Sequence, residues 1–171
     1  MPHSPMPPSS TAHPTVLVVD DDATVLVRCQ KILEHAGYSV LSASGSSEAL
    51  KICKARRESI DVQVTDLVLP PPEFTFASRD NEFPHVHGHE LAVRALRMRA
   101  NLRVILMSGN VENELAGYGI QKGSLPFLSK PFDSSALVTI VKTTLERPAP
   151  GPESLQKDQS GGIKGGDEWF D

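Results

Sequence analysis

The sequence predicts an α/β protein in which helices cover both faces of a parallel five-stranded sheet. Five short apolar segments alternate along the chain with five segments whose apolar residues recur at helical spacing. The first short segment, residues 16–19, is apolar throughout, as expected of a central strand that is buried on both faces. Five strand and helix pairs fit a flavodoxin-like (βα)5 three-layer sandwich, for which the strand order 2-1-3-4-5 is the simplest arrangement.

The boundaries of the elements follow from turn and capping residues. Asp22 is expected to cap the first helix and Gly37 to end it, and Asp133 is expected to cap the last helix. The fourth helix is the weakest, because Gly117 and Gly119 each cost about 1 kcal/mol of helix propensity. Strands are predicted at residues 15–19, 38–43, 60–66, 102–107 and 125–129, and helices at 23–36, from 46 onward, at 88–99, at 111–120 and from 134 onward.

Length and composition indicate one domain with a tail at each end. The 171 residues, 39% of them hydrophobic, suffice for a single core. Residues 1–14 are rich in proline and residues 148–171 in glycine, so we expect a disordered leader, a domain over 15–147 and a disordered tail. The pair Trp169 and Phe170 is compatible with a docking peptide, although a disordered end without a role is the simpler interpretation. Cys29 and Cys53 lack metal-site spacing and are expected to be reduced core thiols.

Charge and hydropathy exclude some classes of partner. The net charge of -4 arises from 17 basic and 21 acidic residues without a basic block. Direct binding to nucleic acid or to an anionic membrane is therefore not expected. No window approaches the ~18 apolar residues of a membrane span. The first 14 residues have neither the basic start nor the apolar stretch of a signal peptide, so a cytoplasmic protein is predicted.

Polar side chains follow several of the predicted strands. Asp20 and Asp21 follow the first strand, Asp66 ends the third, Ser108 follows the fourth and Lys130 follows the fifth. Because the carboxyl ends of parallel strands lie at one edge of a sheet, these side chains are expected to meet there. Crowded carboxylates repel one another unless a proton or a cation relieves them, and Mg²⁺ is the natural choice for oxygen ligands. One acid is then left to act as a nucleophile toward a phosphoryl donor, and Asp66 is the candidate.

At these residues the sequence resembles the receiver domains of bacterial two-component response regulators and hybrid sensor kinases. Four segments match in the order of that family and cover about residues 15–147. Each segment alone is a weak signal, and their order on the expected elements makes the resemblance specific. The segments are Val18-Val19-Asp20-Asp21-Asp22, Asp66-Leu67-Val68-Leu69-Pro70, Leu106-Met107-Ser108-Gly109 and Lys130-Pro131-Phe132.

The resemblance implies a role for each matched residue. Asp66 corresponds to the phosphoacceptor of a phosphoprotein, and Lys130 corresponds to the lysine that contacts the phosphoryl group. The remaining roles implied by the family are metal ligation by Asp20, Asp21 and the backbone carbonyl of Val68, a switch hydroxyl on Ser108, an aromatic switch residue at Phe127 and a cis peptide bond before Pro131.

The implied function is a phosphorylation-dependent switch in a two-component phosphorelay. A histidine kinase or a phosphotransfer protein is the expected donor, and an unidentified downstream protein is expected to bind the surface of the fourth helix, fifth strand and fifth helix. Apart from self-phosphorylation and autodephosphorylation, no enzyme activity is expected. A homodimer is left open, as is the choice between a stand-alone receiver and the receiver of a longer hybrid protein.

Two features depart from the pattern of the family. Pro70 and Gly88 are 18 positions apart instead of about four, which implies an insertion at about 71–87 in the loop after the third strand. The insertion is interpreted as a tolerated surface loop, with a lid or a docking surface built on Phe74, Phe76 and Phe83 as the alternative. Val68, two positions after the acceptor, is apolar and does not orient an attacking water, so a long-lived phosphoryl group is expected.

Two other interpretations use the same residues differently, and a third concerns a group of histidines. The sequence from Asp20 to Thr24 is similar to the signature of haloacid-dehalogenase phosphatases, with Asp20 as nucleophile and Asp22 as general acid, but Ala23 stands where that family has glycine. A receiver-like binding module that works without phosphorylation is the second. The third is a zinc site on His85, His87 and His89, against which a solvated loop is favoured.

Overall fold

The computed structural model describes residues 13–71, 83–109 and 125–150. Within these ranges the chain forms five strands and four helices. The predicted helix at 111–120, the residues Phe74 and Phe76 and the pair Trp169 and Phe170 lie outside the described residues. The elements are β1 (Thr15–Val19), α1 (Ala23–His35), β2 (Ser39–Ala43), α2 (Ser46–Ala55), β3 (Val62–Asp66), α3 (Gly88–Met98), β4 (Arg103–Ser108), β5 (Phe127–Ser129) and α4 (Ser134–Leu145).

All five strands form one parallel sheet in the order β2-β1-β3-β4-β5. The predicted fold class and strand order are confirmed. The register places Val19 of β1 opposite Thr65 of β3, and Asp66 opposite Met107 of β4. The carboxyl ends of β1 and β3 therefore lie side by side at the centre of the sheet, with the end of β4 next to them.

The core has two halves, one on each face of the sheet. Side chains alternate along β1, so that Val16 and Val18 pack with α1 and α4 while Leu17 and Val19 pack with α2 and α3. All four side chains are fully buried. Because each of the three central strands is covered on both faces, the apolar character of these segments follows from the three-layer architecture.

The observed strands are shorter than predicted at their amino ends. β3 begins at Val62 and β5 at Phe127, although Ile60 and Leu125 were expected to belong to them. Both residues are nevertheless buried, with 3% and 4% of their surface exposed. An apolar sequence pattern predicts burial, whereas a strand also requires backbone pairing. In β3 and β5 the buried residues begin before the paired residues do.

Three predicted helix boundaries are confirmed in detail. Asp22 caps α1, where its Oδ1 accepts a hydrogen bond from the Thr24 N–H at 2.8 Å. Asp133 caps α4 in the same way, accepting from the Ala136 N–H at 2.7 Å. Gly37 follows α1 with φ of 100°, a left-handed conformation that glycine adopts without strain.

Cys29 and Cys53 are buried in opposite halves of the core and carry free thiols, as predicted. Burial raises the pKa of the Cys29 thiol to about 11, so it stays protonated at neutral pH. No helix in the described part of the chain is long and apolar enough to cross a bilayer.

Gly88, the first residue of α3, lies directly against the end of β3. Its N–H donates to the Leu67 carbonyl at 3.0 Å. A Cβ added at this position would overlap the Asp66 carbonyl oxygen and lie 2.9 Å from the Leu67 Cα. Both neighbours are backbone atoms, which cannot move aside without shifting the strand end. Gly88 therefore permits the close approach of α3 to β3.

We predict that Gly88→Ala lowers the free energy of unfolding by about 2–3 kcal/mol, because the added methyl group collides with backbone. Gly45→Ala is the matched control, since a Cβ there meets nothing within 4 Å. Its cost should stay below about 1 kcal/mol, the usual difference between glycine and alanine at a helix N-cap. Urea unfolding followed by circular dichroism measures both, and equal costs would contradict the proposed close approach.

Candidate functional site

Three carboxylates converge at the carboxyl edge of the sheet. Asp20 immediately follows β1 and is fully buried, Asp66 ends β3 and is partly buried, and Asp21 is exposed. One oxygen atom from each of the three lies within 4.8 Å of the other two. The predicted convergence of these acids is confirmed, and it follows directly from the pairing of β1 with β3.

Lys130 neutralises part of this negative charge. Its Nζ lies 2.6 Å from Asp20 Oδ2 and 3.1 Å from Asp66 Oδ2, so one ammonium group bridges the acids of two strands. The Lys130 side chain is 22% exposed, while those of Asp20 and Asp66 are 0% and 14% exposed. Partial burial strengthens these ion pairs relative to pairs on an open surface.

Backbone groups also orient the two buried acids. The Asp22 N–H donates to Asp20 Oδ1 at 2.9 Å, and the Val68 N–H lies 3.4 Å from Asp66 Oδ1. These contacts leave each carboxylate with one oxygen toward Lys130 and the other toward the backbone of the following loop. The peptide bond between Lys130 and Pro131 is cis, as predicted.

Ser108 lies on β4, the strand next to Asp66, and Phe127 lies on β5, one strand further along the sheet. Ser108 ends β4 and is buried, one position beyond Met107, the residue paired with Asp66. Its carbonyl accepts a hydrogen bond from the Lys130 N–H at 2.8 Å. Phe127, opposite Leu106 in the β4–β5 pair, is partly buried against the core half that contains α2 and α3. Ser108 is thus at the carboxyl edge, as predicted, whereas Phe127 begins β5 two positions before that edge.

Burial and the neighbouring charges shift the pKa values of the cluster, and some of these shifts oppose one another. Burial raises the pKa of Asp66, Asp20 adds to that rise, and the positive charge of Lys130 opposes it without cancelling it. Burial and the neighbouring Asp20 likewise raise the pKa of Asp21. For Lys130, burial alone would lower the pKa, but its contacts with Asp20 and Asp66 outweigh that and raise it. One lysine thus compensates three carboxylates only in part.

The donor set suits a hard divalent cation. All three side chains supply carboxylate oxygens, which Mg²⁺ prefers, and no sulfur or nitrogen ligand from the described residues joins the group. Burial raises the pKa of Asp66 and the charge of Asp20 adds to that rise, and a bound cation would offset both effects. Asp20, Asp21 and Asp66 therefore fit a magnesium site.

His85 and His87 of the insertion and His89 of α3 do not gather into a comparable group. Among the described residues the three aspartates form the only cluster of potential metal ligands. The rings of His85 and His87 meet edge to face with centroids 5.3 Å apart, and His87 Nδ1 accepts a hydrogen bond from the Leu69 N–H at 3.1 Å. The zinc hypothesis for His85, His87 and His89 thus gains no support.

Comparisons with known proteins identify the family and the fold. The family model described as the response regulator receiver domain matches residues 16–73. NtrC of Rhizobium meliloti is 30% identical over 87% of this chain, and PhoP of Bacillus subtilis is 28% identical over 89%. A solved receiver protein of Sinorhizobium medicae superimposes with a TM-score of 0.63 at 28% identity, covering 80% of this chain and 98% of that one.

This chain contains a response regulator receiver domain. The chain spans 28% of the length of NtrC and 58% of the length of PhoP, so its similarity is to one part of each curated relative. The sequence resemblance to receivers is confirmed by the family model, by these relatives and by the solved structure.

Sequence reasoning missed two residues that shape the site of this receiver domain. Arg28 of α1 donates from Nη2 to the Phe132 carbonyl at 2.6 Å and lies 5.2 Å from the centroid of the Phe132 ring, which ties α1 to the loop after Lys130. His87 contacts the loop after Asp66. Nothing in the sequence marks Arg28 as part of the site, because single basic residues are common on helices. The sequence shows that His87 directly precedes Gly88, but it does not show that His87 contacts Leu69.

We predict that Asp66→Asn stabilises the metal-free receiver domain at neutral pH, because it removes a carboxylate whose pKa is raised by burial and by Asp20. A raised pKa in the folded state means that wild-type stability falls as pH rises from about 4, the ordinary value, through the folded value. The stabilisation by the substitution is therefore expected to be full at pH 7 and to fade toward pH 4.

Thermal unfolding in EDTA at a series of pH values measures this difference. Asp133→Asn is the matched control, because it makes the same chemical change at a helix cap where asparagine serves equally well. At pH 7 it should change the midpoint much less than Asp66→Asn does. A midpoint for Asp66→Asn at or below the wild-type value at pH 7 would contradict the electrostatic account.

Proposed function

We propose that this receiver domain is a phosphorylation-dependent switch that accepts a phosphoryl group on Asp66. The observation that carries the proposal is the placement of Lys130, whose ammonium group lies 3.1 Å from Asp66 and 2.6 Å from Asp20 within the three-acid cluster. A partly exposed carboxylate beside a fixed positive charge is suited to attack an electrophilic phosphorus and to hold the anionic product.

The proposed reaction forms one bond and breaks one. An oxygen of the Asp66 carboxylate donates an electron pair to phosphorus, and the bond from phosphorus to the donor breaks. The donor is a phosphohistidine of a histidine kinase or phosphotransfer protein, and its imidazole nitrogen leaves with the bonding electrons. Because phosphoryl transfer depends mainly on positioning and charge stabilisation, Lys130 contributes by neutralising the equatorial phosphoryl oxygens.

Mg²⁺ is the proposed cofactor. Asp20, Asp21, Asp66 and the backbone carbonyl of Val68 would hold it, and when bound it supplies positive charge that lowers the repulsion between the incoming phosphoryl group and the acids. The backbone contacts of Asp20 and Asp66 keep their carboxylates oriented before the donor arrives. Preorganisation of this kind avoids a reorganisation cost during the transfer.

The output is proposed to be a change in surface. The Ser108 hydroxyl is the candidate to donate a hydrogen bond to the phosphoryl group, with Phe127 adjusting beside it. The hydrogen bond from the Lys130 N–H to the Ser108 carbonyl links the end of β4 to the segment between β5, which contains Phe127, and α4. Binding of an unidentified downstream protein at this side, in the cytoplasm, would read the state of Asp66. In this proposal the chain has no catalytic activity beyond its own phosphorylation and dephosphorylation.

The phosphatase alternative is less well supported by the geometry. It requires Asp20 as nucleophile, yet Asp20 is fully buried and both of its oxygens have partners. It also requires Asp22 as general acid, whereas the Asp22 side chain caps α1. Asp66 is the more accessible of the two buried acids. A binding module that works without phosphorylation does not explain why Lys130 bridges Asp20 and Asp66.

We predict that Asp66→Asn abolishes phosphoryl incorporation from acetyl phosphate and Mg²⁺, because the amide cannot serve as the nucleophile. Mass spectrometry of the intact protein detects the added group. Asp22→Asn is the control, since its side chain caps a helix, a role that asparagine preserves. Loss of incorporation with Asp20→Asn and retention with Asp66→Asn would instead support the phosphatase alternative, in which Asp20 is the nucleophile.

We predict a phosphoryl group that persists for minutes or longer, because the apolar side chain of Val68 cannot orient an attacking water. Val68→Asn, which restores a polar group two positions after the acceptor, should shorten the half-life several-fold. The decay of phosphorylated protein, followed by mass spectrometry after removal of the donor, measures both values. A wild-type half-life of seconds would contradict this prediction.

A further inference from the structure

The loop between Asp66 and Pro70 is held on both sides of Val68. Leu67 donates its N–H to the Met107 carbonyl at 2.8 Å and accepts at its own carbonyl from the Gly88 N–H at 3.0 Å. Leu69 donates its N–H to His87 Nδ1 at 3.1 Å. The side chains of Leu67 and Leu69 are fully buried. Val68, which is partly buried, therefore lies between two residues that are fixed by their hydrogen bonds and by burial.

The contact at Leu69 constrains one particular atom. The Leu69 N–H and the Val68 carbonyl belong to the same peptide unit, which is planar, and Lys130-Pro131 is the only cis bond in the described part of the chain. In a trans unit the N–H and the carbonyl point in opposite directions. A hydrogen bond that fixes the Leu69 N–H therefore also fixes the direction of the Val68 carbonyl.

We propose that His87 is a positioning residue for the divalent-cation site, acting by holding the peptide unit that carries the Val68 carbonyl. This inference rests on the proposed function, in which that carbonyl is a metal ligand. The imidazole contributes its Nδ1 as an acceptor, so that nitrogen carries no proton in this arrangement. His87 precedes α3 at its N-cap position, but its side chain makes no capping hydrogen bond to that helix.

The inserted segment presents His87 from a fixed position. Phe83 is buried in the core with 8% of its surface exposed, and its carbonyl accepts a hydrogen bond from Ser47 Oγ at 2.5 Å. The Val86 N–H donates to Ser46 Oγ at 2.9 Å. Two side chains at the start of α2 thus hold the end of the insertion, while Gly88 holds it against β3. The insertion interpreted from sequence as a tolerated loop acquires a role in shaping the site.

The matched pair His87→Phe and His87→Asn tests this inference. Phenylalanine keeps a ring of similar size but has no acceptor, whereas asparagine places Oδ1 the same number of bonds from Cα as Nδ1 of histidine. We expect His87→Phe to raise the Mg²⁺ dissociation constant about tenfold, a typical effect of losing a group that orients a metal ligand. His87→Asn should stay close to wild type.

The dissociation constants are obtained from thermal unfolding of the full chain at a series of MgCl₂ concentrations and constant ionic strength, since a ligand stabilises the folded state in proportion to RT ln(1 + [L]/Kd). Unfolding in EDTA separately records the metal-free stability. A residue with only a structural role would lower that stability in His87→Phe and leave the dissociation constant unchanged. Should the phenylalanine variant not fold, His87→Ala removes the acceptor without adding bulk.

Each outcome decides a different claim. Equal Mg²⁺ affinity of wild type and His87→Phe would overturn the role of His87 and leave the proposed function intact. Equal weakening of the phenylalanine and asparagine variants would also overturn it, because the acceptor would not be the feature that matters. A wild-type chain that Mg²⁺ does not stabilise would overturn the metal site of the proposed function, and the role of His87 with it.

Discussion

The partial neutralisation of three carboxylates by one lysine is the interaction on which the site depends. Asp20, Asp21 and Asp66 bring three negative charges within 4.8 Å, and Lys130 supplies one positive charge between two of them. Burial raises the pKa of Asp66, Asp20 adds to that rise, and the charge of Lys130 does not cancel it. The crowded carboxylates lower the stability of the folded protein. A cation that binds between them, with or without a phosphoryl group, reduces this destabilisation. The same imbalance makes the site sensitive to what binds there.

The parallel sheet makes this concentration of charge possible. A carboxylate at the end of β1 and another at the end of β3 become neighbours because the two strands pair in register, and β5 delivers the lysine from two strands away. Buried leucines and valines on both faces keep the strand ends in place. The core therefore supplies the rigidity, and the loops at the carboxyl edge supply the chemistry.

Much of this arrangement was predictable from the sequence. Strand order followed from the alternation of elements, and the meeting of Asp20, Asp66 and Lys130 followed from their positions just at or after strands. The short β5 was not predictable, because burial of Leu125 continues the apolar pattern beyond the paired residues. The contact of His87 with Leu69 was hidden as well, since an insertion without periodicity gives no indication of where it returns to the fold.

A crystal structure of the chain with Mg²⁺ and beryllofluoride, a mimic of the phosphoryl group, is the most direct test of the central claim. We expect the beryllium on an Asp66 oxygen, the metal on Asp20, Asp21 and the Val68 carbonyl, and the Lys130 ammonium on a fluorine. Beryllofluoride on Asp20, or the metal on His85, His87 and His89 and none on the aspartates, would contradict the assignment of Asp66 as phosphoacceptor.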